Sequence, residues 1–226
     1  GGGPLENDPG FVRLFRALGI TVIQIVYSTR NAIGDGCHDR SDSGLSSFGL
    51  EVVAEMNRHG IVIDLSHVGR RTAQETIEAS KHPVIFSHAN SYTLCPIPRN
   101  RTDEEIRLLA KKGGVIGVNA LDVHVRKGGN STLDDLVDHV DYIARLVGVE
   151  HIGIGLDFAK GGPEDYALRD EVEGSAPWPW PAARGLDTIR DVRNFTRLLV
   201  KRGYSDADIL KILGANFVRV FREVLG

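Results

Sequence analysis

Two histidines end two short apolar runs. Ile61-Val62-Ile63-Asp64-Leu65-Ser66 leads into His67, and Pro83-Val84-Ile85-Phe86-Ser87 leads into His88. Neutral imidazole is a common zinc ligand, and two imidazoles on one rim could share one ion. A lone histidine at a strand end is more often a hydrogen-bonded structural residue, so the pair needs company before that choice is made. Asp157 follows a later run, Ile152-Gly153-Ile154-Gly155-Leu156. A carboxylate there could orient or deprotonate a metal-activated water; a helix N-cap or loop hydrogen bond is the plain alternative. Arg99 lies in Pro96-Ile97-Pro98-Arg99-Asn100, a loop that its prolines stiffen as an anion clamp requires. Against that, most lone arginines are solvated surface groups. Tyr27 ends the first apolar run and could donate to a polarised carbonyl oxygen, or simply pack on the rim.

Other polar residues carry less. Asp35, His38, Asp39 and Asp42 crowd the loop after Tyr27 and read as solvated turn residues. Asn119 ends the fourth run and is only suggestive. His59, His82, His139 and His151 fall on helices or before strands and read as structural. Trp178-Pro179-Trp180-Pro181 could wall the substrate or pack on the outer rim.

These residues need elements to hold them. Both Ser-His runs are too short for helices and read as buried parallel strands. The stretch 68–80 between them is long enough for one crossover helix, which places His67 and His88 at neighbouring carboxyl ends. Further strands are expected over 20–27, 115–119 and 152–158. Helices are expected over 11–18, 51–58, 106–110, 133–146, 188–202, 205–213 and 215–224, with Thr102 as an N-cap before an acidic first turn. Alternating strands and helices imply a parallel sheet with right-handed crossovers. Chemistry converging on one mouth suits an α/β (β/α)8 TIM-barrel type, with about the last five strand–helix units present and the first three missing. Residues 1–226 are expected to form a single, N-terminally incomplete barrel domain, whose open sheet edge would limit its solubility alone.

Composition excludes more than it selects. The 226 residues are 42% hydrophobic and 25% charged, an ordinary globular balance. A net charge of -3 argues against a nucleic-acid partner. No apolar run approaches a bilayer span. Two cysteines, Cys37 and Cys95, make neither a disulfide framework nor a thiolate zinc site; reduced thiols point, if anywhere, to the cytoplasm. The chain opens Gly1-Gly2-Gly3-Pro4, with no methionine and no signal-peptide pattern, so Gly1 is not expected to be the natural start.

Taken together, Leu65-Ser66-His67, Phe86-Ser87-His88, the loop from Ser91-Tyr92 to Arg99-Asn100, Gly155-Leu156-Asp157-Phe158 and the closing Gly214-Ala215-Asn216-Phe217-Val218-Arg219 resemble the membrane (renal-type) dipeptidases, zinc metallopeptidases of the amidohydrolase-like barrels. The likeness covers essentially the whole chain. It implies a (β/α)8 barrel with a two-zinc centre and hydrolysis of a dipeptide amide. It further implies that His67 and His88 bind one zinc, that Asp157 handles the water and its proton, and that Arg99 binds the substrate carboxylate. The chain departs from the family in three places. The His-x-Asp pair of the first strand is absent, and the metal-bridging glutamate would fall just before Gly1. A family histidine that touches substrate aligns with Tyr27. The acidic residue expected after Asp-Phe is Ala159. The expected partner is therefore a small dipeptide, with a homodimer left open. A hydrolase of another acyl substrate, or a non-catalytic binding or structural module, are the rival assignments.

Overall fold

The computed structural model of the chain describes residues 2–158 and 181–226. Trp178, Pro179, Trp180 and Ala159 lie outside the described residues, so the expected aromatic wall and the departure at 159 stay sequence statements. The described residues form a five-stranded, wholly parallel sheet of β1 (Val22–Gln24), β2 (Val62–Asp64), β3 (Ile85–Phe86), β4 (Val115–Val118) and β5 (Ile152–Ile154), ordered as in the sequence. A parallel α/β sheet is what the alternating pattern predicts.

The strands are shorter than their apolar runs. The first ends at Gln24 rather than Tyr27, and the last at Ile154 rather than Phe158. The cause is local. Ser28, His67 and Asp157 take φ values of 56°, 70° and 61°, left-handed conformations that turn a chain out of a ladder. The residues read as strand-end chemistry therefore stand on turns just above the sheet.

Several helix starts follow their capping chemistry. The first helix, α1, covers Phe11–Ala17. Ser46 caps α2 (Ser47–Arg58), which begins a turn earlier than its apolar pattern, by accepting from the Gly49 N–H at 2.9 Å. After the 68–69 link comes α3 (Arg70–Ala79). Thr102 and Glu105 form a reciprocal capping box on α4 (Asp103–Lys111), as the N-cap pattern predicts. A short helix absent from the sequence expectations, α5 (Asp122–Val125), precedes α6 (Leu133–Val147). The chain closes with α7 (Val192–Lys201), α8 (Asp206–Leu210) and α9 (Asn216–Leu225).

Strand register sorts the side chains onto two faces. Val62 pairs with Val22, Ile85 with Asp64, and Val115 with Ile85. Val22, Val62, Ile85 and Val115 thus share one face, where α9 packs Phe217, Val220, Phe221 and Val224 against them. Ile23, Ile63, Phe86 and Ile116 share the other, in the larger core that α1–α4, α6 and α7 cover. Above the α9 plug, on the same face, stand Gln24, Asp64 and Ser87. That polar layer carries the histidines.

Candidate metal centre

The geometry begins at Asp64, the last residue of β2. It is 5% exposed, and a buried carboxylate must be paired or fully hydrogen-bonded. Its Oδ1 accepts from the Ser66 N–H at 3.0 Å, the Ser66 hydroxyl at 2.9 Å and the Ser87 N–H at 2.9 Å. Its Oδ2 accepts from the Ser87 hydroxyl at 2.6 Å. One side chain thus ties the end of β2 to the end of β3, which accounts for the serine before each histidine. Gly155 lies so close to the Ser87 carbonyl oxygen that a Cβ there would collide with it, a backbone approach that only glycine permits.

The hydrogen count then sets the His88 tautomer. The Ser87 proton goes to Asp64, so the Ser87 oxygen accepts from His88 Nδ1–H at 2.7 Å. His88 Nε2 is left with its lone pair. His67 Nδ1 meets the Ser28 hydroxyl at 2.9 Å. The two Nε2 atoms stand 2.9 Å apart, a spacing that calls for a shared proton or a shared cation. Burial, with the Arg99 charge adding to it, holds the His67 imidazole far below its ordinary pKa. Burial also lowers that of His88, against the pull of Asp157. Both rings are therefore neutral, the form that ligates metals. The donor set fits two ligands on one ion. Among the described residues no group of three or more His, Cys, Asp or Glu is arranged to hold a metal, so this pair supplies only part of a four-coordinate centre.

Arg99 is 4% exposed, and burial lowers its pKa. Among the described residues its one hydrogen bond is long, Nη2 to the His88 carbonyl at 3.4 Å, while Nε and Nη1 are buried without a partner there. An orphaned buried guanidinium is costly and calls for an anion. Asp157 stands exposed on the rim, its Oδ2 accepting from Asn119 Nδ2 at 3.1 Å. Tyr27 is 39% exposed and stacks on His67 with ring centroids 4.2 Å apart. All five sequence candidates, His67, His88, Arg99, Asp157 and Tyr27, thus stand at the carboxyl ends of the strands.

The acidic loop after Tyr27 needs correcting in part. Asp35 is buried at 1% exposure rather than solvated; it pairs with Arg30 and accepts from the Ser43 N–H at 2.5 Å. Asp42 accepts from Arg71 N–H and Thr72 N–H at the start of α3. His38 sits exposed at the edge of the site, its pKa lowered first by desolvation and then by Arg99.

The residue-by-residue reading missed His124 on α5. Its backbone carbonyl accepts from Asn90 at 3.1 Å and Asn100 at 2.9 Å, fixing it against the Arg99 loop. Burial, reinforced by the Arg99 charge, pushes its pKa down to about 3, and its Nδ1 is buried without a partner among the described residues. Nothing in the spacing flags it, because α5 is one turn long. Asp64 did carry a signal: an aspartate inside an apolar run is seldom buried without a task.

Comparison with known proteins decides the family. The sequence profile of the membrane dipeptidases (peptidase family M19) matches residues 1–173 and 174–225. The chain belongs to the membrane dipeptidase family. Among its relatives are an uncharacterized dipeptidase of Schizosaccharomyces pombe, 38% identical over 97% of this chain and 50% of that protein, and the dipeptidase verJ of Clonostachys rogersoniana, 32% identical over 97% and 52%. This dipeptidase-family chain spans about half the length of those relatives. Among solved structures it is similar to an amidohydrolase from Pseudomonas aeruginosa, with a TM-score of 0.90 and 40% identity over 98% of this chain and 70% of that one. A metal cofactor goes with this peptidase family.

Proposed function

We propose that this chain forms part of the active site of a zinc-dependent dipeptidase, and that its five strands belong to a (β/α)8 barrel. The observation that carries the reading is a buried guanidinium with two orphaned nitrogens, Arg99, beside two neutral imidazoles whose Nε2 atoms converge to 2.9 Å. His67 and His88 hold one zinc of a two-zinc centre. Bound zinc supplies a Lewis acid for the scissile carbonyl and a water that ionises near neutral pH. Arg99 binds the substrate's terminal carboxylate and so sets which bond reaches the rim. Asp157, oriented by Asn119, takes the proton of the attacking water and returns it to the leaving amine. Tyr27 donates a hydrogen bond to the carbonyl oxygen.

Tyr27 also favours a second reading, hydrolysis of another acyl substrate, because a phenol on the rim recognises a scissile group differently from an imidazole. No helix among the described residues is long and apolar enough to cross a membrane. Cys37 and Cys95 are free thiols, which supports a cytoplasmic setting.

The test is turnover of the natural full-length protein on a panel of dipeptides, C-terminally amidated dipeptides and N-acyl amino acids, with and without zinc. Dipeptides should be hydrolysed best, and His67→Ala and His88→Ala should abolish metal-dependent turnover while leaving the melting curve near wild type. Full activity in both variants would sink the assignment; preference for acyl amino acids would select the second reading.

A further inference from the structure

Arg101 and Glu105 form an ion pair, Nη1 to Oε1 at 3.1 Å, with side chains 1% and 0% exposed. Burying two charges carries a desolvation cost that their attraction seldom exceeds, so such a pair is weak evidence of stabilisation. An apolar pair of similar volume would fill the space more cheaply. Its position points to another use.

His67 is presented by a tight turn closed by Val68 N–H to the Leu65 carbonyl at 3.2 Å, with His67 itself at φ 70°. Such a turn leaves the strand ladder, and its buried carbonyls need other donors. The Ser66 carbonyl takes Gln24 Nε2 at 2.5 Å, and the His67 carbonyl takes Cys37 N–H at 2.8 Å. The two outer carbonyls are spanned by one guanidinium: Arg101 Nη2 to Leu65 at 3.2 Å and Nη1 to Val68 at 2.8 Å. The same guanidinium lies over the Phe86 ring, 4.6 Å from its centroid, two residues before His88. Its backbone pairs with Asn90 and Tyr92, just after His88. Glu105 holds the fork from the far side while its other oxygen caps α4 through Thr102 N–H at 2.9 Å.

We propose that the Arg101–Glu105 pair is a positioning element for the metal centre: its planar fork staples the two ends of the His67 turn and braces it against the strand that presents His88. Planarity is the reason for arginine, since two carbonyls are met by two nitrogens in fixed relation, which a lysine ammonium does not reproduce. The inference rests on His67 and His88 binding metal.

The test is zinc affinity of the natural full-length protein, by competition with a chromophoric chelator, measured beside the urea midpoint. Arg101→Met/Glu105→Gln removes the fork and both charges together, and glutamine can still cap Thr102. Arg101→Lys keeps the charge and loses the fork. Both should bind zinc about 10–100-fold more weakly, the usual effect of losing an outer-shell partner, with cooperative unfolding retained. Arg101→Lys should keep a near-native urea midpoint. Wild-type affinity within twofold in either folded variant overturns the proposal, and so does a loss that merely tracks falling stability across the set. If the double variant fails to fold, Arg101→Lys alone decides between these outcomes. His67→Ala is the control: undiminished zinc binding there would instead overturn the metal-site reading on which the inference stands.

Discussion

Replacing Asp64 by asparagine changes one atom and tests the hydrogen-bond logic beneath both histidines. Asp64 accepts four hydrogen bonds at 2.6–3.0 Å, three on Oδ1 and one on Oδ2. Asparagine has one accepting oxygen, so it must choose a side. Turning its amide nitrogen toward Oδ1's place would orphan the Ser66 and Ser87 N–H groups in a buried site, at roughly 1–3 kcal/mol each. The cheaper choice keeps the oxygen there and points Nδ2 at the Ser87 hydroxyl. Ser87 then accepts from asparagine and turns its own proton to His88 Nδ1. His88 becomes the Nε2–H tautomer, with no lone pair to offer a metal. Three charge-assisted bonds weaken to neutral ones and a fourth inverts, a loss of stability on the order of 2–4 kcal/mol. Zinc affinity should fall by at least about 10–100-fold. Long-range nitrogen–proton correlation spectra of the metal-free protein read the tautomer directly, and a urea titration reads the stability. A His88 that keeps its Nδ1 proton in the variant, with zinc affinity unchanged, would refute the reasoning even if stability fell.

Further outcomes follow from the same geometry. Arg99→Met should raise KM for substrates with a free carboxylate far more than for amidated ones, and should also raise the melting temperature, because an orphaned buried charge is removed; equal losses on both substrate types, or a lower melting temperature, contradict this. Gly155→Ala forces a methyl group into the Ser87 carbonyl and should cost about 1–3 kcal/mol together with zinc affinity, whereas wild-type values of both would show that the strands separate freely. His139 is buried, accepting from Ser91 N–H at 3.2 Å and donating to the Val125 carbonyl at 2.9 Å, and burial lowers its pKa below 6.5. The unfolded chain therefore binds a proton first as pH falls below about 6.5, and stability drops from there by up to about 1.4 kcal/mol per pH unit. His139→Gln should show a shallower slope between pH 7.5 and 5.5 in the metal-free protein; an unchanged slope rules His139 out as its source.

By itself the sequence determined that the strands run parallel with right-handed crossovers, because apolar runs alternate with capped helices. It also placed His67, His88, Arg99, Asp157 and Tyr27 on one rim, since carboxyl ends of parallel strands share a side. The capping box of Thr102 and Glu105 was half visible as an N-cap and acidic turn. The partners of those residues were decided only by the tertiary structure. Asp64 meets Ser87 across 23 positions, and Arg101 meets Leu65 across 36. Whether two such side chains touch depends on strand register and on left-handed turns at single residues, which periodicity does not encode. His124 shows the limit most plainly. A one-turn helix has no amphipathic signal, and the packing of Asn90 and Asn100 against its carbonyl is what brings that imidazole to the site.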